Sequence, residues 1–293
     1  MSFVNNYSPL RYPGGKASAA GYFVDMLSAN SIGNDGIYCE PFAGGAGVAL
    51  TLLLTGRVER IVINDFDPCI AAFWHSLLHE SEKFIAEIEK CEISIESWEK
   101  HRLIYDNAAS LNLMNDDERF SLGFSTFFLN RTNRAGILPK AGPIGGRKQA
   151  GPYRLDARFK KNVLINRIGK IAEVRDRISF TSDDALVFIK KLTTSNFNSE
   201  KLFLYLDPPY YHRGKELYLN FYNHEDHLAL AEYMKAFCYC KWMMTYDDCD
   251  EVKKLYVDKH ISISEFTLQY SMQRVRKAKE VLIAPQFTML PRG

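Results

Sequence analysis

Short apolar runs that end in acidic residues alternate along the chain with segments whose apolar positions have helical spacing. The acidic ends are Glu40, Asp65, Asp184 and Asp207. Such runs predict buried strands with helices between them, and therefore a three-layer α/β sheet. The carboxyl ends of parallel strands meet at one edge of the sheet, where ligands bind. Residues 261–270 and 280–284 predict a final antiparallel hairpin at one end of the sheet.

The run from Leu202 to Leu206 is typical of a parallel strand buried on both faces, and Asp207-Pro208-Pro209-Tyr210 follows it. The prolines cannot continue the hydrogen-bond ladder and hold the backbone extended. The Asp207 carboxylate and the Pro208 carbonyl are acceptors for the two hydrogens of a planar NH2 group. Tyr210 offers a stacking face, a role that requires the ring rather than the hydroxyl. The alternative is a strand end with a capping aspartate, since four-residue motifs recur by chance.

A glycine-rich turn follows the first predicted strand, in the sequence Glu40-Pro41-Phe42-Ala43-Gly44-Gly45-Ala46-Gly47. Glycines permit a tight turn and a close approach of the backbone to a ligand. The spacing is neither G-x-G-x-x-G nor a Walker P-loop with its lysine. Asp65 lies about twenty residues further on, where dinucleotide-binding folds place the acid that accepts ribose hydroxyls. A cofactor with a ribose is therefore predicted, and a helix cap at Asp65 is the alternative.

Lys16 follows a Pro13-Gly14-Gly15 turn and precedes a predicted helix from about Ala17 to Leu27. Backbone N–H groups at a helix N-terminus face outward and favour anions. Lys16 is therefore a candidate to hold a carboxylate or a phosphate. On its own, however, the position favours a lysine that faces solvent from a loop.

Basic residues are concentrated in one part of the chain, although the formal net charge is only +2. Residues 80–118 carry eleven acids and four bases, whereas residues 119–177 carry fourteen bases and three acids. The basic segment includes a Gly- and Pro-rich loop at 138–152, and such a loop inside a compact domain is functional or disordered. Asn and Arg contact base edges and phosphates, so a contact with nucleic acid is predicted. The residues predicted to make it are Asn130, Arg131, Asn133, Arg134, Arg147 and Lys148. A solvated basic face is the alternative.

Composition narrows the class of protein. The apolar fraction of 46% and the charged fraction of 25% are typical of globular proteins, and no run has the length of a membrane span. The segment from Met1 to Leu10 lacks the basic start and apolar core of a secretory signal. The six cysteines have no paired C-x-x-C spacing, which favours reduced cysteines in a cytosolic protein.

The order of these motifs resembles that of the Dam-like DNA adenine methyltransferases, the alpha group. The order is Pro-Gly-Gly-Lys, Glu-Pro-Phe-Ala-Gly-Gly, an acid after the second strand, an insert, and Asp-Pro-Pro-Tyr, and it covers nearly the whole chain. The resemblance implies an α/β, Rossmann-like methyltransferase sheet with an inserted, mainly helical DNA-recognition subdomain. The catalytic domain would comprise residues 1–75 and 165–293, and the target-recognition domain residues 76–164. The protein would act in the cytoplasm of a bacterial, archaeal or phage-infected cell.

The resemblance also implies which residues contact the cofactor, S-adenosylmethionine. They are Tyr12, Lys16, Glu40, Phe42, Gly44, Asp65, Asp184 and Asp207. Glu40, Phe42 and Gly44 would line the methionine end. Asp65 would hold the ribose hydroxyls, and Asp184, in preference to Asp183, would lie by the adenine of the cofactor. The family often has tryptophan where Tyr12 stands and alanine where Pro13 stands, and tyrosine keeps the aromatic surface.

The catalytic residues that the resemblance implies are Asp207, Pro208, Pro209 and Tyr210. They would hold an adenine flipped out of double-stranded DNA, which costs a few kcal/mol of unstacking. The adenine amine is a poor nucleophile because its lone pair is conjugated with the ring. Accepting its hydrogens localises the lone pair toward the methyl group for a direct displacement that depends on positioning and electrostatics. Neither a cysteine nucleophile nor a metal is needed.

Other functions fit parts of the pattern. The same acceptors suit a methyltransferase that acts on the amine of cytosine, on RNA or on a protein glutamine. A DNA-binding relative with an inactive cofactor site is a different class of protein, and intact Gly44, Gly45, Asp65 and Asp207 argue against it. A Rossmann dehydrogenase would not explain Asp-Pro-Pro-Tyr. The expected partner is double-stranded DNA bound by a monomer, and a cognate restriction or defence system is a further candidate.

Overall fold

One seven-stranded sheet forms the centre of the computed structural model, which describes residues 7–11, 16–139, 141–212, 222–267 and 279–291. The strands are β1 (Ile37–Glu40), β2 (Arg60–Asn64), β3 (Ile178–Thr181), β4 (Leu202–Leu206), β5 (Lys241–Asp247), β6 (Ile261–Thr267) and β7 (Lys279–Pro285). Their order across the sheet is β3-β2-β1-β4-β5-β7-β6. The first five strands are parallel, and β7 is antiparallel to both β5 and β6. The predicted sheet, with an antiparallel hairpin at one end, is confirmed.

Helices follow the strands along the chain. The α-helices in the described residues are α1 (Ala20–Ala29), α2 (Gly47–Leu54), α3 (Pro68–His79), α4 (Ser81–Lys90), α5 (Ile95–Asp106), α6 (Asp116–Thr132), α7 (Lys161–Glu173), α8 (Ala185–Thr193), α9 (His224–Ala236) and α10 (Asp250–Leu255). Two short 3-10 segments, Lys16–Ala19 and Leu155–Arg158, carry residues that bear on function.

Side-chain caps explain where α3 and α9 begin. Asp67 accepts the backbone N–H of Cys69 at 2.8 Å, and Pro68 occupies the first turn of α3, where its missing N–H costs no hydrogen bond. Asn223 and Asp226 form a reciprocal capping box at the start of α9. Because the caps fix where these helices begin, they also fix the residues that lead into them.

The strands bury apolar side chains on both faces of the sheet, as the period of two along a strand requires. Tyr38 and Phe203 belong to the apolar cluster on one face, and Cys39 and Leu204 to the cluster on the other. All five residues of β4 are buried, as its continuous apolar run predicts. With both faces covered, the carboxyl edge of the sheet is where polar groups can meet a ligand.

The helices of the predicted insert share the apolar core of the sheet. Helix α6 packs on α3, and the cluster that includes Phe73 of α3 continues through Phe127 of α6. Gly123 permits this close packing, because a Cβ there would lie 2.4 Å from the Ala72 carbonyl oxygen. The predicted domain boundaries fall inside α3 and α7. The division into two domains stays a prediction.

Among the described helices, none combines the length and apolar character needed to cross a bilayer. The predicted basic turn at 274–279 lies outside the described residues, apart from Lys279 at the start of β7.

Candidate active site

Acids at the ends of four parallel strands lie along one edge of the sheet. Glu40 is the last residue of β1, and Asp65 and Asp207 directly follow β2 and β4. Asp184 follows β3 after a short loop. Because β1 to β4 pair in parallel, their carboxyl ends share one edge. The predicted convergence of these four acids is confirmed.

Asp207 is held by side chains from two other parts of the chain. Its Oδ1 accepts the Thr245 hydroxyl at 2.9 Å, and Thr245 comes from the neighbouring strand β5. Lys16 Nζ donates to Oδ1 at 3.0 Å and to Oδ2 at 3.2 Å. The Asp207 side chain keeps 26% of its surface exposed. A carboxylate is therefore fixed in place and still open to a ligand.

Lys16 lies in the 3-10 segment that precedes α1 and is buried. Its Nζ also lies 3.3 Å from Glu280 Oε1. Burial opposes the charge of the ammonium, but Asp207, with smaller contributions from Tyr205 and Glu280, raises the pKa of Lys16 well above its usual value. The predicted carboxylate partner of Lys16 is thus an acid of this chain, and contact with a cofactor stays a prediction. Its predicted companion Tyr12 lies outside the described residues.

The loop after Asp207 is anchored by two acids, one from β5 and one from β7. Pro208 is buried and Pro209 is partly buried. The Tyr210 hydroxyl donates to Glu280 Oε1 at 2.6 Å. The next backbone N–H, that of Tyr211, donates to Asp247 Oδ1 at 3.0 Å. Asp247 and Glu280 are opposite each other in the β5–β7 pairing, so the two anchors are neighbours.

The sequence analysis missed the three polar residues that hold this loop. They are Thr245, Asp247 and Glu280. The sequence signal that could have identified them is a polar side chain near one end of an otherwise apolar strand.

The glycine-rich turn has a fixed backbone. Gly44 has a φ of 47° and Ala46 a φ of 46°, both in the left-handed region. The Gly44 carbonyl accepts the Trp74 indole N–H at 2.8 Å. On the other side, Ser8 Oγ donates to the Gly45 carbonyl at 2.5 Å, and a Cβ on Gly45 would lie 2.8 Å from that Oγ. The turn therefore presents bare backbone, held from two directions.

Asp65 connects the glycine turn to the second strand. Its Oδ2 accepts the Gly44 N–H at 2.7 Å, and its Oδ1 accepts the Asp67 N–H at 3.0 Å. Burial, with a contribution from the Asp67 carboxylate, raises the pKa of Asp65 to about 7. Each oxygen keeps lone-pair capacity for a ligand hydroxyl. Phe66, which the sequence analysis did not single out, is 56% exposed directly beside it.

Glu40 is a buried acid at the start of the turn. Its Oε1 accepts the Ala49 N–H at 3.3 Å. Burial raises the pKa of Glu40 to about 8, the Asp207 carboxylate adds to this effect, and the hydrogen bond from the Ala49 N–H reduces it. Within the described residues Glu40 forms no ion pair with a lysine or arginine. Phe42 is partly buried, with its ring 5.7 Å from the Tyr222 ring.

The two acids after β3 already have partners. Asp184 caps α8, since its Oδ1 accepts the N–H groups of Leu186 and Val187 at 3.0 and 3.2 Å. Asp183 pairs with Lys191 at 2.8 Å. A capping carboxylate keeps a second oxygen, so the predicted contact of Asp184 with a cofactor stays a prediction.

Asn130 and Asn133 are buried, which corrects the prediction that their side chains face DNA. The Asn130 side chain accepts the Arg11 N–H at 2.6 Å and donates to the carbonyls of Arg11 and Gly136 at 2.9 Å each. Asn133 Oδ1 accepts the Trp98 indole N–H at 2.8 Å. Both amides join segments of the protein interior. The sequence pattern could not show that these side chains are buried, because asparagine serves equally well to contact bases and to join loops inside a protein.

Arg131 is nine-tenths buried and lies near three other arginines, Arg11, Arg158 and Arg167. Its Nε donates to the Arg158 carbonyl at 2.8 Å. Burial, together with these guanidinium groups, lowers the pKa of Arg131 to about 9. Among the described residues, no carboxylate forms an ion pair with any of the four. We call these residues the arginine cluster; the sequence analysis found only Arg131.

The other predicted DNA contacts are on the surface. Arg134, Arg147 and Lys148 are exposed. Arg147 pairs with Glu99 at 2.9 Å and lies over the Trp98 ring, 5.8 Å from its centroid. Exposed ion pairs of this kind contribute little to stability. Contact of these three residues with DNA stays a prediction.

Similarity to known proteins covers most of the chain. Among solved structures, the chain is similar to the rRNA methyltransferase aviRa from Streptomyces viridochromogenes, with 10% sequence identity and a TM-score of 0.43, over 98% of this chain and 93% of that chain. No curated protein matches the chain. The sequence model of the D12 class N6 adenine-specific DNA methyltransferases matches residues 12–272, which include the glycine turn, the basic segment and the Asp207 loop. The chain therefore belongs to the D12 class of N6 adenine-specific DNA methyltransferases.

Proposed function

We propose that this chain transfers a methyl group from S-adenosylmethionine to the N6 amine of an adenine flipped out of double-stranded DNA. The observation that carries the proposal is the partly exposed Asp207 carboxylate at the end of β4, which Thr245 and Lys16 hold in place. Family membership supplies the reaction class, which is methylation of adenine in DNA. The order of the motifs favours the Dam-like alpha group within that class.

Asp207 has acceptor capacity left for a target amine. A carboxylate offers about four lone-pair sites. Two sites on Oδ1 are used by Lys16 and Thr245, and one on Oδ2 by Lys16. The remaining site on Oδ2 and the Pro208 carbonyl would accept the two amine hydrogens. The negative charge of Asp207 would then stabilise the positive charge that develops on the attacking nitrogen.

The residues around the glycine turn fit S-adenosylmethionine. When bound, this cofactor supplies an electrophilic methyl group on a positively charged sulfur. Glu40 is a buried acid without a cationic partner in the described structure, and it would hold a positive group of the methionine end. Asp65 would accept the ribose hydroxyls, and the exposed Phe66 ring beside it offers a face to the adenine. Asp184 stays the proposed acid near that adenine.

The ionisation of Glu40 is expected to make cofactor binding dependent on pH. Below its pKa of about 8 the carboxyl group is mostly protonated in the free protein, and a cationic ligand favours the ionised form. Affinity should therefore rise with pH toward 8, by at most about tenfold per unit, and level off above it. Calorimetry in two buffers of different ionisation enthalpy should detect release of a proton below pH 8. In Glu40→Gln the rise in affinity and the proton release should both be lost between pH 7 and 8, above the pKa of about 7 of Asp65; their persistence in that range would assign them to another group.

The arginine cluster fits a phosphate of the DNA backbone. Guanidinium groups bind phosphate through several fixed donors, and an anion would relieve the repulsion among them. Arg158 is exposed, so the cluster is open to solvent on its side. The exposed Arg134, Arg147 and Lys148 would extend the contact along the basic segment. Asn130 and Asn133 support this surface from within.

Truncation of Arg158 tests whether the cluster meets DNA. The slope of log affinity against log salt should become shallower by about one in Arg158→Ala, because one phosphate contact is lost. The Arg158 carbonyl, which holds Arg131, stays in place in this variant. Arg175, an exposed arginine ahead of β3 at the opposite edge of the sheet, supplies the matched control. An equal slope in wild type and Arg158→Ala would remove the cluster from the interface.

Incubation with methyl-labelled S-adenosylmethionine tests the proposed function as a whole. Double-stranded DNA of varied sequence should acquire label at N6 of adenine, and mapping of the modified base gives the recognition sequence. RNA and DNA without adenine serve as parallel substrates. Label on cytosine, or on RNA alone, would replace the proposed substrate with one of the other planar amines.

A further inference from the structure

Glu280 is a buried acid to which the proposed reaction assigns no role. It lies on β7 and is 1% exposed. It accepts the Tyr210 hydroxyl at 2.6 Å and lies 3.3 Å from Lys16 Nζ. Tyr210 is the proposed stacking ring, and Lys16 is paired with Asp207. One carboxylate therefore connects the stacking ring with the ammonium beside the proposed acceptor.

The Lys16 ammonium is shared between two carboxylates at similar distances. It lies 3.0 Å from Asp207 and 3.3 Å from Glu280. Lys16 is buried, but the surrounding acids raise its pKa, so it stays charged. A charge buried in the protein needs a partner at every stage of the reaction. Glu280 supplies a second partner, so the ammonium stays paired when a target amine engages the remaining lone pair of Asp207.

The Tyr210 hydroxyl gives the ring a fixed orientation. A hydrogen bond to an ionised acceptor is stronger than one between neutral groups, and this one is short. A ring that is already held loses less freedom when a base stacks on it. The hydrogen bond from the Tyr211 N–H to Asp247 holds the backbone at the next residue. The Tyr210 side chain is therefore held both near its backbone and at its hydroxyl.

We propose that Glu280 is a positioning residue of the target-base site. It orients the Tyr210 ring through the hydroxyl and holds the Lys16 ammonium when Asp207 accepts the amine. Glu280 itself touches neither the base nor the methyl donor and acts through its two partners. The inference rests on the proposed function and adds to it a residue from the last strand along the chain. It also gives the Tyr210 hydroxyl a role, which replaces the sequence-based expectation that only the ring matters.

A double-mutant cycle tests the coupling. The variants are Tyr210→Phe, Glu280→Gln and the double variant, and Glu265→Gln on the adjoining strand β6 is the matched control, because Glu265 is exposed. Single-turnover methylation is measured at saturating S-adenosylmethionine and DNA. Tyr210→Phe should slow the reaction about tenfold, the order expected for a hydrogen bond to a charged group. Glu280→Gln should be slower still, because it removes the charge beside both Lys16 and the Tyr210 hydroxyl, and the double variant should be slowed by less than the product of the two single losses.

A spectroscopic readout separates positioning from general damage. DNA with 2-aminopurine at the target position reports by its emission how the flipped base stacks. Tyr210→Phe and Glu280→Gln should both change the emission of the bound DNA in the same direction. In Tyr210→Phe the affinity for S-adenosylhomocysteine should stay that of wild type, and circular dichroism should show a folded protein.

Three results would overturn the inference. They are a wild-type rate in Tyr210→Phe, a wild-type rate in Glu280→Gln, and losses that multiply fully in the double variant. If Glu280→Gln does not fold, Tyr210→Phe still decides, through its rate and its emission. Methylation of adenine by the wild-type protein is measured in the same assay, so failure of the proposed function is seen separately from failure of the role of Glu280.

Discussion

Asp207→Asn is expected to slow single-turnover methylation of DNA by about a hundredfold to a thousandfold, the loss seen when one preorganised electrostatic group is removed from an active site. The amide oxygen can still accept a hydrogen from the target amine. The charge that would stabilise the developing positive nitrogen is gone. In the variant, Glu280 is the acid that remains beside the Lys16 ammonium. Residue 207 therefore loses its negative charge and the ion pair that helps to hold it.

The rate of Asp207→Asn has to be read together with two controls. Circular dichroism should show a folded protein, because Asp207 follows a strand and does not pack in the core. Calorimetry should show whether the affinity for the cofactor also falls, because Asp207 is among the residues expected to contact S-adenosylmethionine. Asp207→Ala should be at least as slow as Asp207→Asn. A wild-type rate in Asp207→Asn would mean that another group is the acceptor.

Asp65→Ala is expected to weaken the binding of S-adenosylmethionine by about 1.5–3 kcal/mol, which is the value of hydrogen bonds to a charged group. This corresponds to roughly tenfold to a hundredfold in affinity. The structure adds a second reason, because the Asp65 carboxylate also holds the Gly44 N–H. Alanine would loosen the turn as well as remove the acceptor, whereas Asp65→Asn keeps one acceptor oxygen and should be intermediate.

Asp67→Asn is the matched control for this measurement. Asp67 lies two positions further along the same loop, and asparagine is as good a helix cap as aspartate, so α3 should keep its start. Cofactor affinity should change little. Unchanged affinity in a folded Asp65→Ala would contradict the ribose role, and an equal loss in Asp67→Asn would indicate a general effect on the loop.

The strands and their acidic ends could be predicted because both signals are local. A run of apolar residues such as Leu202–Leu206 identifies its own strand, and the residue that follows is by definition at the strand's end. The contacts within the site are not local. Lys16 and Asp207 are 191 residues apart, and Tyr210 and Glu280 are 70 apart, so only the order of strands across the sheet brings them together.

In the basic segment, the prediction of DNA contacts from residue type was wrong for two asparagines, for a different reason. Asn130 and Asn133 have the side chains that read bases, but an amide with both donors and acceptors is equally suited to joining loops inside a protein. Burial decides between the two uses, and a sequence without clear periodicity does not report burial. The arginine cluster was missed because its members come from the N-terminal segment, α6, a 3-10 segment and α7.

The position of β7 between β5 and β6 has a consequence for synthesis on the ribosome. A nascent chain that has not yet extended past Lys279 already contains the glycine turn, Asp65 and Asp207. It lacks the strand that covers the edge of β5 and the acid that holds Tyr210. An uncovered strand edge is prone to pair with other chains, so the unfinished protein is exposed to aggregation at this stage. Emergence of β7 is therefore the event that both covers the edge of β5 and supplies the acid that anchors Tyr210.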